Sequence, residues 1–282
     1  MKATTENPAL VLFLVDGSHS TGISWSIDEE TGAQATVSQS IQDGVNRALH
    51  DLVVNVCYDD GQIKERILLG AYTAQGNEIA WAFDSEEPAE GWASIHEWVE
   101  RAEHPDEDGA LPVWIQLEPK GKTPLMKGWR HCLHLLGAYY RAYPNGSALL
   151  VTLTDGMFEE LGLTQAIVDE LVNEFNQAVN EDTFVHLIGH IDADGGTPLL
   201  FPSQRPDGAY QGWLFDLTTT FPPHILEAPV NEFNGVTIDD EARTYIHNAD
   251  HVLLSALIQL GSRFVDGDVR PASQASNLLE EE

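Results

Sequence analysis

Residues 9–22 (ALVLFLVDGSHSTG) constrain the fold of this chain more than any other stretch. Six consecutive apolar residues, Leu10 to Val15, show no polar alternation, so a strand built from them is buried on both faces, as at the centre of a parallel sheet. The run stops at Asp16 and gives way to small hydroxyl residues. Sheets of this kind place their ligand chemistry at the carboxyl ends of the strands. In a turn just past the strand, Asp16, Ser18 and Ser20 can direct three oxygens into one small volume. A donor set of oxygen alone, without sulfur or nitrogen, suits a hard cation such as Mg2+.

The rest of the chain alternates between strand and helix patterns. After a loop at 31–36, Ile41, Val45, Ala48, Leu49 and Leu52 recur at helical spacing and predict a first crossover helix over 38–52. Residues 53–58 continue apolar and read as the start of a strand. Asp59-Asp60-Gly61 is a turn, 64–73 reads as a further strand, and 78–83 as a hairpin arm. The irregular segment 84–110, with a short helix across 92–102 and the acidic stretch HPDEDG, reads as a surface insertion. A long helix follows over 125–143, with Thr123 at its entrance and Pro124 in the favoured first position. A second buried strand, 147–154, again ends in an acid and a glycine, Asp155-Gly156. Next come a helix at 164–179, a buried strand at 183–191, an edge strand at 212–218 and a C-terminal helix at about 238–263. The tail 266–282 is polar and acidic and is expected to be mobile. This alternation predicts an α/β fold, a doubly wound and mostly parallel central sheet flanked by helices, in a single domain over 6–265.

Composition narrows the partners. The chain has 282 residues, 45 acidic against 14 basic, and a formal net charge of −31, which repels phosphate backbones and argues against nucleic-acid binding. Only five lysines are present, so a salt-rich habitat is one reading of this charge and plain solubility the other. There is no 18-residue apolar run, and the first ten residues lack the apolar core of a signal peptide. The expectation is a cytoplasmic protein that does not enter membranes, with Cys57 and Cys132 as small buried thiols.

Three segments together carry a family resemblance: Asp16-x-Ser18-x-Ser20 after the first strand, Gly121-Lys122-Thr123-Pro124-Leu125 ahead of a helix, and Thr154-Asp155-Gly156 after a central strand. In order and context the chain is similar to von Willebrand factor A (vWA) domains over roughly residues 8–200. The resemblance implies a Rossmann-like vWA fold. It also implies a metal-ion-dependent adhesion site for Mg2+ or Mn2+ built from Asp16, Ser18, Ser20, Thr123 and Asp155. Short hydroxyls can bind Mg2+ directly while carboxylates act through water, which leaves a position open. In the family that position takes a carboxylate of the ligand. The implied function is a non-catalytic interaction module for a protein presenting an Asp or Glu, with an AAA+ ATPase or a kinase/phosphatase system as the kind of partner. The alternatives are a Mg2+-dependent phosphohydrolase using the same site and a structural scaffold whose site is vestigial.

Rival motifs fail residue by residue. A P-loop at Gly121-Lys122-Thr123 needs a glycine where Gln116 stands, and Pro124 removes a backbone donor. A nucleophile elbow at Ser20 needs a glycine where Ser18 stands. The aspartyl-nucleophile pattern Asp-x-Asp of haloacid dehalogenases also finds Ser18 in place of its second acid. Farther on, His186, His190, Asp192 and Asp194 fall on one face if their strand runs past Ile191. The first reading is a packed core histidine at 186 and a turn at 192–196 (DADGG); the second is a weak additional cation site from His190, Asp192 and Asp194. Trp92, Trp98, Trp129 and Trp213 read as packing residues.

Overall fold

The computed structural model describes residues 3–27, 34–83, 86–103, 111–156, 164–180, 182–191, 197–222 and 238–248. In chain order the strands are β1 (Ala9–Asp16), β2 (Ser24–Ile27), β3 (Gln34–Thr36), β4 (Tyr58–Asp59), β5 (Gln62–Ile63), β6 (Ile67–Gln75), β7 (Glu78–Trp81), β8 (Ala93–Ser94), β9 (Ala148–Thr154), β10 (Phe184–His190), β11 (Leu199–Leu200) and β12 (Tyr245–His247). The helices are α1 (Val37–Leu52), α2 (Ile95–Arg101), α3 (Leu125–Ala142), α4 (Gln165–Ala178) and α5 (Ala209–Leu217).

All eight residues of β1 are buried, because the strand has a parallel neighbour on each side. It pairs with β6 from Ala9↔Ile67 to Asp16↔Ala74, and with β9 from Leu10↔Ala148 to Val15↔Leu153. The main sheet runs β11-β12-β10-β9-β1-β6-β7, with β8 also on β6. The pairs β9/β10 and β10/β12 are parallel, whereas β7 and β8 on β6 and β11 on β12 are antiparallel. The fold is therefore α/β with a mostly parallel central sheet.

Strand alternation divides β1 between two cores. Val11, Phe13 and Val15 pack with Ile41, Val45 and Leu49 of α1 and with Ile95 and Trp98 of α2. Leu10, Leu12 and Leu14 pack with Trp129 and Leu136 of α3, Leu171 and Phe175 of α4, and Leu214 of α5. The chain leaves β1 through α1 to reach β6 on one side, then returns through α3 to β9 on the other. The order of the strands thus reverses at β1, and in open α/β sheets such a reversal marks the crevice beyond the carboxyl ends of the strands where ligands are held. Two capping boxes start the helices on the first face. Gln39 N donates to Thr36 Oγ1 at 3.2 Å while Thr36 N donates to Gln39 Oε1 at 2.9 Å, and Ser94 with Glu97 repeats the device.

Buried Asn46 of α1 carries the next segment toward the crevice. Its Oδ1 accepts from Trp114 N at 2.9 Å and Ile115 N at 3.1 Å, and its Nδ2 donates to Ile115 O. Gln42 Oε1 accepts from Leu117 N at 3.0 Å. Without regular structure of its own, the segment after residue 113 is pinned to α1 by these amides before it reaches Thr123.

Several expectations are corrected. Residues 53–57 are not strand: Val53–Cys57 prolongs α1 as a π turn that buries Val56 and Cys57, only Tyr58 enters the short β4, and the place beside β1 is filled by β6. Gln34–Thr36, within the expected loop, is β3, antiparallel to β2. The segment 84–110 is not a surface insertion in its described middle part. Ala93, Ile95 and Trp98 are core residues, and Trp98 Nε1 donates to Leu69 O at 3.1 Å; residues 84–85 and 104–110 lie outside the described residues. The edge strand expected at 212–218 is α5, a short apolar run of the kind whose period cannot separate helix from strand. Pro124 stands one residue before α3 and not inside it. Finally, 238–248 is not helical: it holds a turn and then β12, which extends the sheet beyond β10. The β-branched and aromatic run Thr244-Tyr245-Ile246 favours a strand there. Residues 249–263 and the tail 266–282 lie outside the described residues. Cys57 and Cys132 are buried free thiols. Among the described residues no helix is long and apolar enough to cross a membrane.

Candidate functional site

The crevice gathers three loops around one carboxylate. Asp16, the last residue of β1, is fully buried. Its Oδ1 accepts from Ser18 N at 2.9 Å and from Thr123 Oγ1 at 3.2 Å, which brings together residues 107 positions apart. Ser18 Oγ lies 2.9 Å from Ser20 Oγ, and Thr21 Oγ1 donates to Ser18 O at 2.8 Å, closing the 3-10 turn His19–Gly22 that contains Ser20 and follows directly on Ser18. Asp155, just past β9, is 7% exposed and close enough to act electrostatically on Asp16. Asp16, Ser18, Ser20, Thr123 and Asp155 are thus collected at one strand-end position.

A residue that sequence reasoning passed over completes the arrangement. Thr154, the last residue of β9, donates from Oγ1 to Asp16 Oδ2 at 2.8 Å and accepts from Gly156 N at 3.0 Å. Its signal was the hydroxyl that directly precedes Asp155-Gly156, at a position in the parallel register beside the end of β1.

Glycines make the loops fit. His19 N donates to Gly121 O at 3.0 Å and Lys120 N to Gly17 O at 2.8 Å, so the Thr123 loop is laced to the Asp16 loop. Gly121 has φ +68°, and a Cβ there would stand 2.6 Å from Gly76 Cα in the β6–β7 turn. Only glycine meets both conditions. Lys122 is exposed while Thr123 beside it is buried, so the two side chains of this dipeptide differ in environment.

Electrostatics favour a cation. Burial, and after it the nearby Asp155, push the Asp16 carboxyl up to about 7, against the hydrogen bonds from Ser18 and Thr154 that favour its charged form. Two acids in a poorly solvated pocket repel one another, and a divalent ion would relieve that repulsion. The donors are three hydroxyls and two carboxylates. Among the described residues no group of three or more His, Cys, Asp or Glu is gathered. The oxygen set fits Mg2+ or Mn2+ and lacks the nitrogen and sulfur ligands that zinc prefers.

The second histidine constellation divides. His186 is fully buried in the core under α5, where burial lowers its pKa to about 3. Trp129 Nε1 donates to Thr152 Oγ1 at 3.2 Å, Thr152 Oγ1 is 2.9 Å from His186 Nε2, and His186 Nδ1 is 2.9 Å from Leu217 O. A carbonyl only accepts, so Nδ1 carries the proton and Nε2 accepts from Thr152. Every polar atom in this line is satisfied by a neutral ring. His190 is also buried, against Asp155 O, Tyr245 and His247, while Asp192 and Asp194 lie outside the described residues.

The fold and site together define an α/β protein with a cluster of hydroxyl and carboxyl oxygens at the carboxyl end of its central parallel strand. No protein-family profile and no curated protein matches the chain. Among solved structures it is similar to proximal thread matrix protein 1 from the mussel byssus (14% identity, TM-score 0.48, covering 93% of this chain and 49% of that one). It is also similar to the PilB minor pilin of Streptococcus sanguinis (11% identity, TM-score 0.47, 94% and 62%). A third similarity is to the manganese-loaded TRAP protein of Plasmodium vivax (14% identity, TM-score 0.36, 68% and 61%). The chain therefore spans about half of the first of these proteins and under two thirds of the other two.

Proposed function

We propose that this chain is a vWA-type domain whose strand-end pocket is a metal-ion-dependent adhesion site, and that it binds a partner protein through a carboxylate of that partner. The observation that carries the reading is the convergence of Ser18, Ser20, Thr123 and Asp155 on the buried Asp16. Ser18, Ser20 and Thr123 would hold Mg2+ or Mn2+ by their hydroxyls, with Asp16 and Asp155 balancing its charge. A bound ion supplies a Lewis-acidic position for a carboxylate oxygen from Asp or Glu. The residues of the chain supply the rest: Thr154 and Ser18 orient the Asp16 carboxylate, and the lacing of Gly121 to His19 sets the height of Thr123. The reading is of binding and not of catalysis, because Ser18 stands where an aspartyl-phosphate enzyme needs its general acid. Partners in an AAA+ ATPase or kinase/phosphatase system fit such a module.

The test is a melting experiment with a binding control. Mg2+ or Mn2+ should raise the melting temperature of the wild type relative to EDTA, since an ion that binds only the folded state stabilises it by mass action. Ca2+ should do so less well, and Asp16→Ala and Thr123→Ala should abolish the response while remaining folded. Equal melting temperatures in EDTA and excess Mg2+ would rule the metal site out.

A further inference from the structure

We infer that His190 is a positioning residue for the metal site, holding Asp155 in place through a hydrogen bond whose direction is set by Tyr245 and His247 on the neighbouring strand. The inference rests on the metal reading above and goes beyond its five ligands.

For a neutral His190 ring the contacts among the described residues leave one assignment of protons. His190 Nε2 lies 3.2 Å from Asp155 O, and a carbonyl oxygen is an acceptor only, so Nε2 carries the proton and donates. In the neutral ring Nδ1 is then the acceptor. Two groups face it: Tyr245 Oη at 3.1 Å and His247 Nδ1 at 2.9 Å. A 2.9 Å N···N contact needs a proton between the two rings, so His247 donates from Nδ1, and Tyr245 Oη shares the single lone pair as the second, longer donor. The line of donation runs from β12, through the ring on β10, to the backbone of the loop past β9. It ends on the residue that supplies the second carboxylate of the site.

Packing fixes the ring as firmly as the hydrogen bonds do. His190 is 4% exposed and its ring centroid is 4.6 Å from that of His247. The loop it supports has no room to shift toward it, because Gly156 has φ +71° and a Cβ there would stand 2.0 Å from His190 Nε2. Gly156 N is in turn bonded to Thr154 Oγ1, which donates to Asp16. One imidazole thus abuts both residues of the Asp155-Gly156 turn. Partners that orient a ligand from behind commonly change metal affinity by about 10- to 100-fold when removed. This arrangement also gives β12, an element outside the segments that carry the motif, a direct mechanical hold on the metal loop.

The experiment titrates Mg2+ alone into the full chain by calorimetry, for the wild type and for His190→Leu, His190→Gln and Tyr245→Phe, with unfolding in EDTA as the control. Gln keeps an N–H donor near the position of Nε2, so His190→Gln should retain Mg2+ affinity within about 3-fold, whereas His190→Leu should lose about 10-fold or more. Tyr245→Phe should fall between them. In the metal-free wild type, long-range 1H–15N spectra of the imidazole should show His190 as the Nε2–H tautomer and His247 as Nδ1–H. Wild-type affinity in His190→Leu, or an Nδ1–H tautomer at His190, overturns the inference alone. A wild type that does not bind Mg2+ overturns the metal reading and this inference with it. If His190→Leu fails to fold, Tyr245→Phe and the tautomer spectra still decide.

Discussion

Thr154 Oγ1 donates to Asp16 Oδ2 at 2.8 Å, so the carboxylate at the end of the central strand is oriented by a hydroxyl from the strand beside it. Both groups are buried, and Thr154 is itself held by Gly156 N. Thr154→Val keeps the shape and removes the hydroxyl. The loss leaves Gly156 N without this acceptor and Asp16 Oδ2 without its donor, at a cost of about 1–3 kcal/mol in a buried site. Urea unfolding in EDTA should show that loss, and Mg2+ affinity should fall as well because the Asp16 carboxyl becomes harder to ionise. Wild-type stability together with wild-type Mg2+ binding would make the contact incidental.

Asp16 gives the metal site a pH dependence of definite sign. Its folded-state pKa is raised by burial, and after that by Asp155, to about 7. Between 3.8 and about 7 the folded state therefore holds a proton that the unfolded chain releases. The stabilising contribution is complete below 3.8 and is lost as pH rises through 7, at up to about 1.4 kcal/mol per pH unit. In EDTA, Asp16→Asn should accordingly gain on the wild type as pH rises from 4 to 7. Metal binding runs the other way, since it requires the carboxylate. Mg2+ affinity should rise with pH up to about 7, and calorimetry in two buffers of different ionisation enthalpy should detect proton release at pH 6. A pH-independent affinity would mean that the Asp16 carboxylate does not balance the charge of the ion.

The fit of the Thr123 loop is tested at Gly121. A methyl group there meets backbone, 2.6 Å from Gly76 Cα, and backbone cannot step aside as a flexible side chain can. Gly61 is a matched control: it has φ +73° with nothing within 4 Å. Gly61→Ala should cost only the left-handed backbone conformation, about 1–2 kcal/mol. Gly121→Ala should cost more than that and should also weaken Mg2+ binding, because Thr123 moves with the loop. Equal losses for the two variants, read by urea unfolding, would show that the Gly76 contact does not hold the loop.

The legible parts of the fold were those where one physical signal dominated. The unbroken apolar run at β1, short and cut off by Asp16-Gly17, read as a central strand, and the hydroxyl and carboxylate residues behind it could be named from chemistry alone. Thr123 and Asp155 were legible as site residues only through the family resemblance, which rests on their places ahead of a periodic helix and after a buried strand. What failed did so where two signals agreed on apolarity but not on period. The segment around Gly212–Leu217 is apolar enough for strand or helix, and only packing between α4 and β10 decides in favour of α5. The segment around Trp98 looked superficial because acids flank it, yet the indole reaches Leu69 O and makes its helix part of the core. Thr154, His190 and Tyr245 were not legible as parts of the site, since their roles depend on strand neighbours that no local pattern announces: Thr154 sits opposite His190, and His190 opposite His247.

His186 supplies the last test, because its burial ties a separable part of the acid sensitivity to one ring. Burial lowers its folded-state pKa from 6.5 to about 3, opposed only in part by the hydrogen bond to Leu217 O. A neutral ring satisfies Thr152 and Leu217 together, whereas a protonated ring would turn an N–H toward a hydroxyl that now donates. Between pH 6.5 and 3 the unfolded chain takes up a proton that the folded chain refuses. The contribution is complete above 6.5 and declines as pH falls toward 3, at about 1.4 kcal/mol per pH unit. His186→Asn should be less stable than the wild type at pH 7.5, because it leaves at least one buried partner unsatisfied, at about 1–3 kcal/mol. That deficit should shrink as pH is lowered from 6.5 to 4.5, since only the wild type carries the imidazole. Taking the difference between the two proteins removes the opposite trend of Asp16, which both share. Guanidinium unfolding at pH 7.5, 6.5, 5.5 and 4.5 measures the gap directly, and a constant gap would mean that the ring ionises in the folded protein as readily as in the unfolded one.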